Sequence, residues 1–169
     1  MNYEILANGA VRCYDDPGEP GYGVISRRIS VAPDEAVLLS ALAHGRIVAE
    51  IGTGLGCSTL AMAKTAAHVF TVDCDPWVHA HVWPQLPKNV TPLSELVEPF
   101  PLVDMFFIDG LHLSEAVRAD IKIAQRILRG RGVIVFHDIN IPHVADVIRD
   151  AFGNFETLLP NVGWVNVGV

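Results

Sequence analysis

Residues 47–58, IVAEIGTGLGCS, constrain this chain more than any other stretch. The apolar run Ile47-Val48-Ala49, with Ile51 after Glu50, reads as a strand buried on both faces. Gly52, Gly54 and Gly56 follow at positions one, three and five of a loop, where glycine lets the backbone turn sharply and come close to a ligand. The apolar stretch 59–67 then predicts a helix, whose free N–H groups and positive dipole end would face that loop. One helix further on, the apolar run Val69-Phe70-Thr71-Val72 ends in Asp73. An acid at that place can accept hydrogen bonds from the two hydroxyls of a ribose, as in nucleotide-binding βαβ units. A dinucleotide fingerprint would carry its third glycine one residue later, where Cys57 stands.

The chain has 169 residues, the length of one domain. A domain of this size buries roughly 70% of its unfolded surface, enough for a substantial core. No apolar run reaches the roughly 20 residues that span a bilayer, so no membrane partner is expected. The net charge of −7, with no clustered basic stripe, argues against a nucleic-acid partner. Cys13, Cys57 and Cys74 are odd in number and lack metal-like spacing. They read as reduced thiols, and Met1-Asn2-Tyr3-Glu4 has no signal-like character, so a cytoplasmic protein is expected.

Along the chain, residues 1–32 form an N-terminal loop or flap segment and 33–169 the main domain. Ile5-Leu6-Ala7 and Val11-Arg12-Cys13-Tyr14 around Asn8-Gly9 suggest a hairpin, and the Pro/Gly-rich run 15–23 a solvated connection or an active-site flap. Val31-Ala32-Pro33-Asp34-Glu35 opens a helix with proline and acids in its first turn, Val37, Leu38, Ala41 and Leu42 on its apolar face and Gly45 as its stop. After Asp73 a short helix carries His79 and His81, which lie about 200° apart on a helix and so do not share a metal easily; they read as surface residues. Val90-Thr91-Pro92-Leu93 and the run 103–108 are further strands. Ser114 is placed to cap a helix over 114–129, with Gly130 as its stop. Strand 133–136, helix 144–152 and a closing antiparallel hairpin follow. The alternation implies a parallel sheet covered by helices on both faces.

Ligands of such sheets sit at the carboxyl ends of the strands. Four of those ends are polar: Glu50; Asp73; Asp109 with His112 beyond it; and His137-Asp138, with Asn140 two residues later. The pattern acid-x-Gly-x-Gly-x-Gly followed by a strand-end acid resembles class I S-adenosylmethionine-dependent methyltransferases. Asp109-Gly110-Leu111-His112, Asp120 on the next helix, and the run 130–138 (GRGVIVFHD) further resemble the metal-dependent small-molecule O-methyltransferases of the catechol and macrolide-sugar types. The lead-in SVAPDEA at 30–36 is similar as well.

That resemblance, over about residues 31–169, implies a three-layer Rossmann-like fold. Its sheet would have seven mostly parallel strands, the last antiparallel. It implies S-adenosylmethionine as cofactor, held by Glu50, Gly52, Thr53, Gly54, Gly56 and Ser58 of the loop. Asp73, Cys74, Ser94 and Asp109 would complete that cofactor site. It implies a divalent metal, magnesium or another, on Asp109, Asp138 and either His137 or Asn140. His112 would be the catalytic base, acting with Asp109, and a small-molecule hydroxyl the acceptor. Because successive strand residues face opposite sides, only one of His137 and Asp138 is expected to lead into the site, and Asp138 is favoured. Relatives of the catechol type carry Asp-Asn where this chain has His137-Asp138. An imidazole ligand would move metal preference from magnesium toward manganese, iron or zinc. The chain lacks a long N-terminal helical cap, so its pocket would be open or completed by a second subunit. Trp77, Trp83 and Trp164 would suit a homodimer contact, or core and cofactor packing. A cofactor-binding partner subunit without turnover is the alternative reading. A nucleic-acid methyltransferase would instead carry an Asn/Asp-Pro-Pro-aromatic run after strand four, and an NAD-dependent dehydrogenase would need the other glycine spacing.

Overall fold

The computed structural model describes residues 2–5, 11–14, 31–96 and 100–168. Strands β1 (Asn2–Ile5) and β2 (Val11–Tyr14) pair antiparallel with Ile5 opposite Val11. The antiparallel pairing expected here is present, with a first strand that already includes Asn2, while Leu6, Ala7 and the Asn8-Gly9 turn lie outside the described residues. The flap expected over 15–23 lies outside the described residues.

The main domain opens with α1 (Pro33–Ala43), then β3 (Ile47–Ile51), α2 (Cys57–Ala63), β4 (His68–Val72), α3 (Pro76–His81) and β5 (Val90–Leu93). It continues with β6 (Val103–Ile108), α4 (Ser114–Ile127), β7 (Leu128–Phe136), α5 (Pro142–Phe152), β8 (Glu156–Leu159) and β9 (Val162–Val167). The sheet order is β5-β4-β3-β6-β7-β9-β8, and β9 alone runs against the other strands. The chain leaves β3 toward β4 and returns to its other side with β6. That reversal opens a crevice at the carboxyl ends of the central strands.

Strand alternation divides the core between two layers. Met105, Phe107, Val133 and Val135 face Leu39 and Ala43 of α1 and Met62 of α2. Phe106, Ile108, Ile134 and Phe136 face Val117, Ile121 and Ala124 of α4 and Val144 and Ile148 of α5. Phe106, Phe107 and Phe136 are almost completely buried, each worth about 2–3 kcal/mol of apolar transfer.

Several local expectations shift. The buried stripe of α1 is Glu35, Leu39 and Ala43, while Val37 is 71% exposed. The helix is apolar nearly all round, so periodicity could not choose its inner face. Helix α2 starts two residues earlier and stops four earlier than expected. The α4 helix ends at Ile127 because Leu128 turns extended and pairs with Val103, so β7 begins before Gly130 rather than after it. Ser114 is the first helical residue and makes no side-chain cap. His79 and His81 are half-buried, stacked on Trp83 and Trp77 respectively, and not simply surface residues. Trp164 packs against the α1-side core and donates its Nε1–H to Glu156 at 2.8 Å. Each of the three tryptophans therefore has a partner within the chain.

Candidate active site

The glycine loop is built around Glu50. Its side chain is fully buried and accepts hydrogen bonds from Ser58 Oγ (2.5 Å), Thr59 Oγ1 (2.5 Å) and Thr71 Oγ1 (2.6 Å). Burial raises its pKa to about 7, against the lowering effect of those three hydroxyls. Glu50 thus joins the end of β3, the start of α2 and the middle of β4 beneath the loop. Above it, Gly52 has φ +97° and lies so close to β6 that a Cβ would sit 2.0 Å from the Asp109 carbonyl oxygen. Only glycine fits there. The Gly54 N–H donates to Asp73 Oδ2 at 2.8 Å, and Asp75 N donates to Asp73 Oδ1 at 2.9 Å. Each carboxylate oxygen keeps a second lone pair for a ligand.

Over this loop lies a cavity of about 500 Å³ at the carboxyl ends of β3, β4, β6 and β7. Of the residues expected to hold the cofactor, Gly52, Thr53, Gly54, Ser58, Asp73, Cys74 and Asp109 line it, together with His112, His137 and Asp138. Three of the expected cofactor residues do not. Glu50 lies below the loop. Gly56 turns the chain into α2 at φ +80°, and a Cβ there would meet Val82 at 3.1 Å. Ser94 is exposed past the end of β5. A larger cleft of about 720 Å³ lies at the opposite ends of the parallel strands, lined by Gly45, Arg46 and Asp104 among others. The glycine loop and the strand-end acids and histidines line the smaller cavity, which is therefore the candidate active site.

The polar end of that cavity is where β6 and β7 stop. One ligand atom each from Asp109, His137 and Asp138 lie within 4.8 Å of one another. His137 Nδ1 is 3.3 Å from Asp109 Oδ1 and 3.2 Å from Asp138 Oδ2. The expectation that only one of the His137-Asp138 pair could enter the site is overturned. Asp138 has φ +55°, and this left-handed turn breaks strand alternation, so two successive side chains converge. Asn140 is exposed in the turn that follows and is not part of the group.

His112 Nε2 lies 2.8 Å from Asp138 Oδ2 and 3.8 Å from Asp109 Oδ1, and its side chain is 41% exposed. The Asp109 carboxylate, with Asp138 adding to it, raises the ring's pKa against its partial burial. Burial pulls on His137 in the same downward sense, but Asp109, Asp138 and Glu35 outweigh it and push its pKa up to about 11. His137 in turn holds Asp138 below the usual carboxylate value, against that group's own burial. The cluster draws positive charge. His137 Nδ1 and His112 Nε2 are buried atoms that face carboxylates without a well-directed hydrogen bond. Orphaned imidazole nitrogens beside converging carboxylate oxygens form a donor set suited to a divalent cation.

Four contributors go beyond the expected set. Glu35 of α1 accepts from His137 Nε2 at 3.1 Å, although the sequence marks it only as a helix-start acid. Asn161, in the β8–β9 turn, donates to Asp138 Oδ1 at 3.1 Å, and its Nδ2 lies 3.2 Å from His137 Nε2. His143 Nε2 bonds the His112 carbonyl at 2.6 Å and fixes that loop. Asp120 lines the cavity beside Gly110, and burial raises its pKa to about 6. Beside Asp34 in the same first turn, nothing local set Glu35 apart as the inward-facing acid, and nothing local marked Asn161.

Strand order, glycine loop and strand-end acids together define a class I methyltransferase fold. The chain belongs to the methyltransferase domain family, which it matches over residues 49–139. No curated protein sequence matches it. Among solved structures it is similar to cofactor-bound Rv0187 from MTB, with TM-score 0.68, 23% identity and 83% of each chain covered. It is similar to an O-methyltransferase from Bacillus cereus in complex with SAH, with TM-score 0.64, 19% identity and 83% of each chain covered. The O-methyltransferase TomG from Streptomyces achromogenes, in complex with SAM, gives TM-score 0.63 at 15% identity, with 82% of this chain and 81% of that one covered. Among the described residues no helix is long and apolar enough to cross a membrane.

Proposed function

We propose that this chain is an S-adenosylmethionine-dependent methyltransferase that transfers the sulfonium methyl to a hydroxyl of a small molecule, assisted by a divalent metal. The observation that carries the reading is one continuous cavity with the Gly52–Gly54 loop and Asp73 at one end and Asp109, His112, His137 and Asp138 at the other. Asp73 would accept the ribose hydroxyls. The close approach of Gly52 to β6 leaves the methionine end of the cofactor beside Asp109. Asp109, Asp138 and His137 would hold the metal, which would polarise the acceptor hydroxyl and lower its pKa. The residues themselves orient that oxygen. In the transfer, the O–CH3 bond forms as the S–CH3 bond breaks, the sulfonium becomes a neutral thioether, and His112 Nε2 takes the hydroxyl proton. The acceptor would enter past Leu111, which lines the cavity and is 64% exposed.

The test is methyl transfer from labelled S-adenosylmethionine to a panel of catechols and sugar hydroxyls, with and without chelator, beside calorimetry of S-adenosylhomocysteine binding. Binding together with chelator-sensitive turnover, restored by magnesium or manganese, is expected. No binding at high ligand concentration would end the cofactor reading. Full turnover in excess chelator would end the metal reading and leave Asp109 and Asp138 with substrate-binding roles.

A further inference from the structure

Glu35 is the one acid of α1 that points into the protein, 7% exposed, while Asp34 beside it is exposed. Its Oε2 accepts the Ala32 N–H at 2.6 Å and His137 Nε2 at 3.1 Å. The backbone bond does not explain the burial, because a helix start is served as well by a carboxylate that stays in water. A buried carboxylate is costly unless a donor of matching strength meets it. The donor is His137, 102 residues away in the chain and at the tip of β7.

That contact fixes which way the imidazole works. Nε2 lies 3.1 Å from Glu35 Oε2 and 3.2 Å from Asn161 Nδ2, whose hydrogen goes to Asp138 Oδ1 at 3.1 Å. With Nε2–H given to Glu35, the ring presents Nδ1 to Asp109 Oδ1 and Asp138 Oδ2. Both are acceptors, and Nδ1 is buried without a hydrogen bond. An imidazole nitrogen that faces two carboxylate oxygens is satisfied by a proton on Nδ1 or by a divalent cation that takes the proton's place between the three groups. We propose that Glu35 is the positioning residue that makes His137 a metal ligand through Nδ1, a carboxylate–histidine–metal relay running from α1 into the site. This rests on the metal reading above and adds to it a ligand orientation and a metal preference. A set of one imidazole and two carboxylates ranks manganese, cobalt and zinc above magnesium. Outer partners of this kind typically hold about 10–100-fold in metal affinity.

The experiment has two arms. In the first, protein labelled with ¹⁵N-histidine is loaded with Zn²⁺, and the tautomer of each ring is read from long-range ¹H–¹⁵N correlations. His137 is expected to carry its proton on Nε2 and the metal on Nδ1; the reverse tautomer, or a doubly protonated ring, would overturn the proposal without any variant. In the second, Mn²⁺ binding is titrated by the loss of its free electron-spin-resonance signal in wild type, Glu35→Met, Glu35→Gln, His137→Ala and the Glu35→Met/His137→Ala double variant. Methionine keeps the volume and removes the acceptor, so Mn²⁺ affinity should fall by about 10–100-fold, and glutamine should recover most of it. Glu35→Met should cost nothing further once His137 is gone. Equal affinity in Glu35→Met and wild type, or the same loss with and without His137, would overturn the proposal while leaving the metal reading intact. Absence of Mn²⁺ and Zn²⁺ binding in wild type would fail the metal reading itself, and the proposal with it.

Discussion

At the scale of single residues, this fold places ionisable groups where water cannot reach them and makes each answer to its neighbours. Glu50 shows the thermodynamic consequence. Its folded pKa of about 7 stands above the ordinary 4.5, so the folded protein binds the proton more tightly than the unfolded chain does. The sign follows from linkage. Below pH 4.5 both states are protonated and the group is without cost. As pH rises through the window from 4.5 to 7 stability is lost, and above it the cost is on the order of 3 kcal/mol. Glu50→Gln keeps the shape and an acceptor for the hydroxyls of Ser58, Thr59 and Thr71 without the charge. Thermal melts of both proteins between pH 5 and 8 should diverge, the variant gaining on wild type as pH rises. Parallel curves would mean that the carboxylate is stabilised in its charged form by more than its three hydroxyls. The importance of Glu50 was legible in the sequence, because an acid between an apolar strand and a glycine loop stands where burial is expected and charge is costly. Its place below the loop was not, because the hydroxyls that meet it come from residues 8, 9 and 21 positions away.

At the scale of elements, the carboxyl tips of β3 and β6 touch, and the site depends on that contact. Gly52→Ala tests it. The new Cβ would sit 2.0 Å from the Asp109 carbonyl, at a φ of +97° that alanine avoids. Such backbone strain costs about 1–3 kcal/mol before any clash is added. The melting temperature should drop, and S-adenosylhomocysteine affinity should fall by more than about tenfold, each tenfold being about 1.4 kcal/mol. Unchanged affinity by calorimetry would show that the loop can move off β6 without harm to the cofactor site. The elements themselves were largely readable. Buried parallel strands announce themselves as continuous apolar runs, and the parallel sheet followed from their alternation with helices. What failed locally has physical causes. The α1 helix is apolar on too many sides for periodicity to select Glu35, Leu39 and Ala43 as its inner stripe. Gly130 reads as a helix stop, but tertiary pairing of Leu128 with Val103 ends α4 sooner. Strict alternation excludes one of His137 and Asp138, and a single left-handed residue admits both.

At the scale of the whole molecule, the cavity divides by strand. On the proposed reading, Gly52, Gly54 and Asp73 on the β3–β4 side would hold the cofactor, and Asp109, His112, His137 and Asp138 on the β6–β7 side would meet the reacting oxygen. Three distant segments brace the second half: α1 through Glu35, α5 through His143 and the β8–β9 turn through Asn161. No motif reveals such bracing, since it depends on elements that meet only when the sheet is complete. The division makes His112 separable from cofactor binding. Its loop is pinned at the carbonyl by His143, and its ring stands at the open side of the carboxylate pair. General-base assistance is typically worth about 10²–10⁴ in rate. His112→Ala should therefore lower kcat by that order and leave S-adenosylhomocysteine affinity nearly unchanged, whereas Asp73→Ala should do the reverse. Because Asp109 and Asp138 raise the pKa of His112, its proton is released at higher pH than that of an ordinary histidine. Asp138→Asn in the metal-free protein should shift the ring's nuclear magnetic resonance titration to lower pH. Cation binding, which neutralises the same carboxylates, should shift it in the same direction and free the ring to act as a base near neutrality. Full turnover in His112→Ala with the same pH profile would remove His112 from the chemistry and leave the hydroxyl proton to another base, with His137 the next candidate.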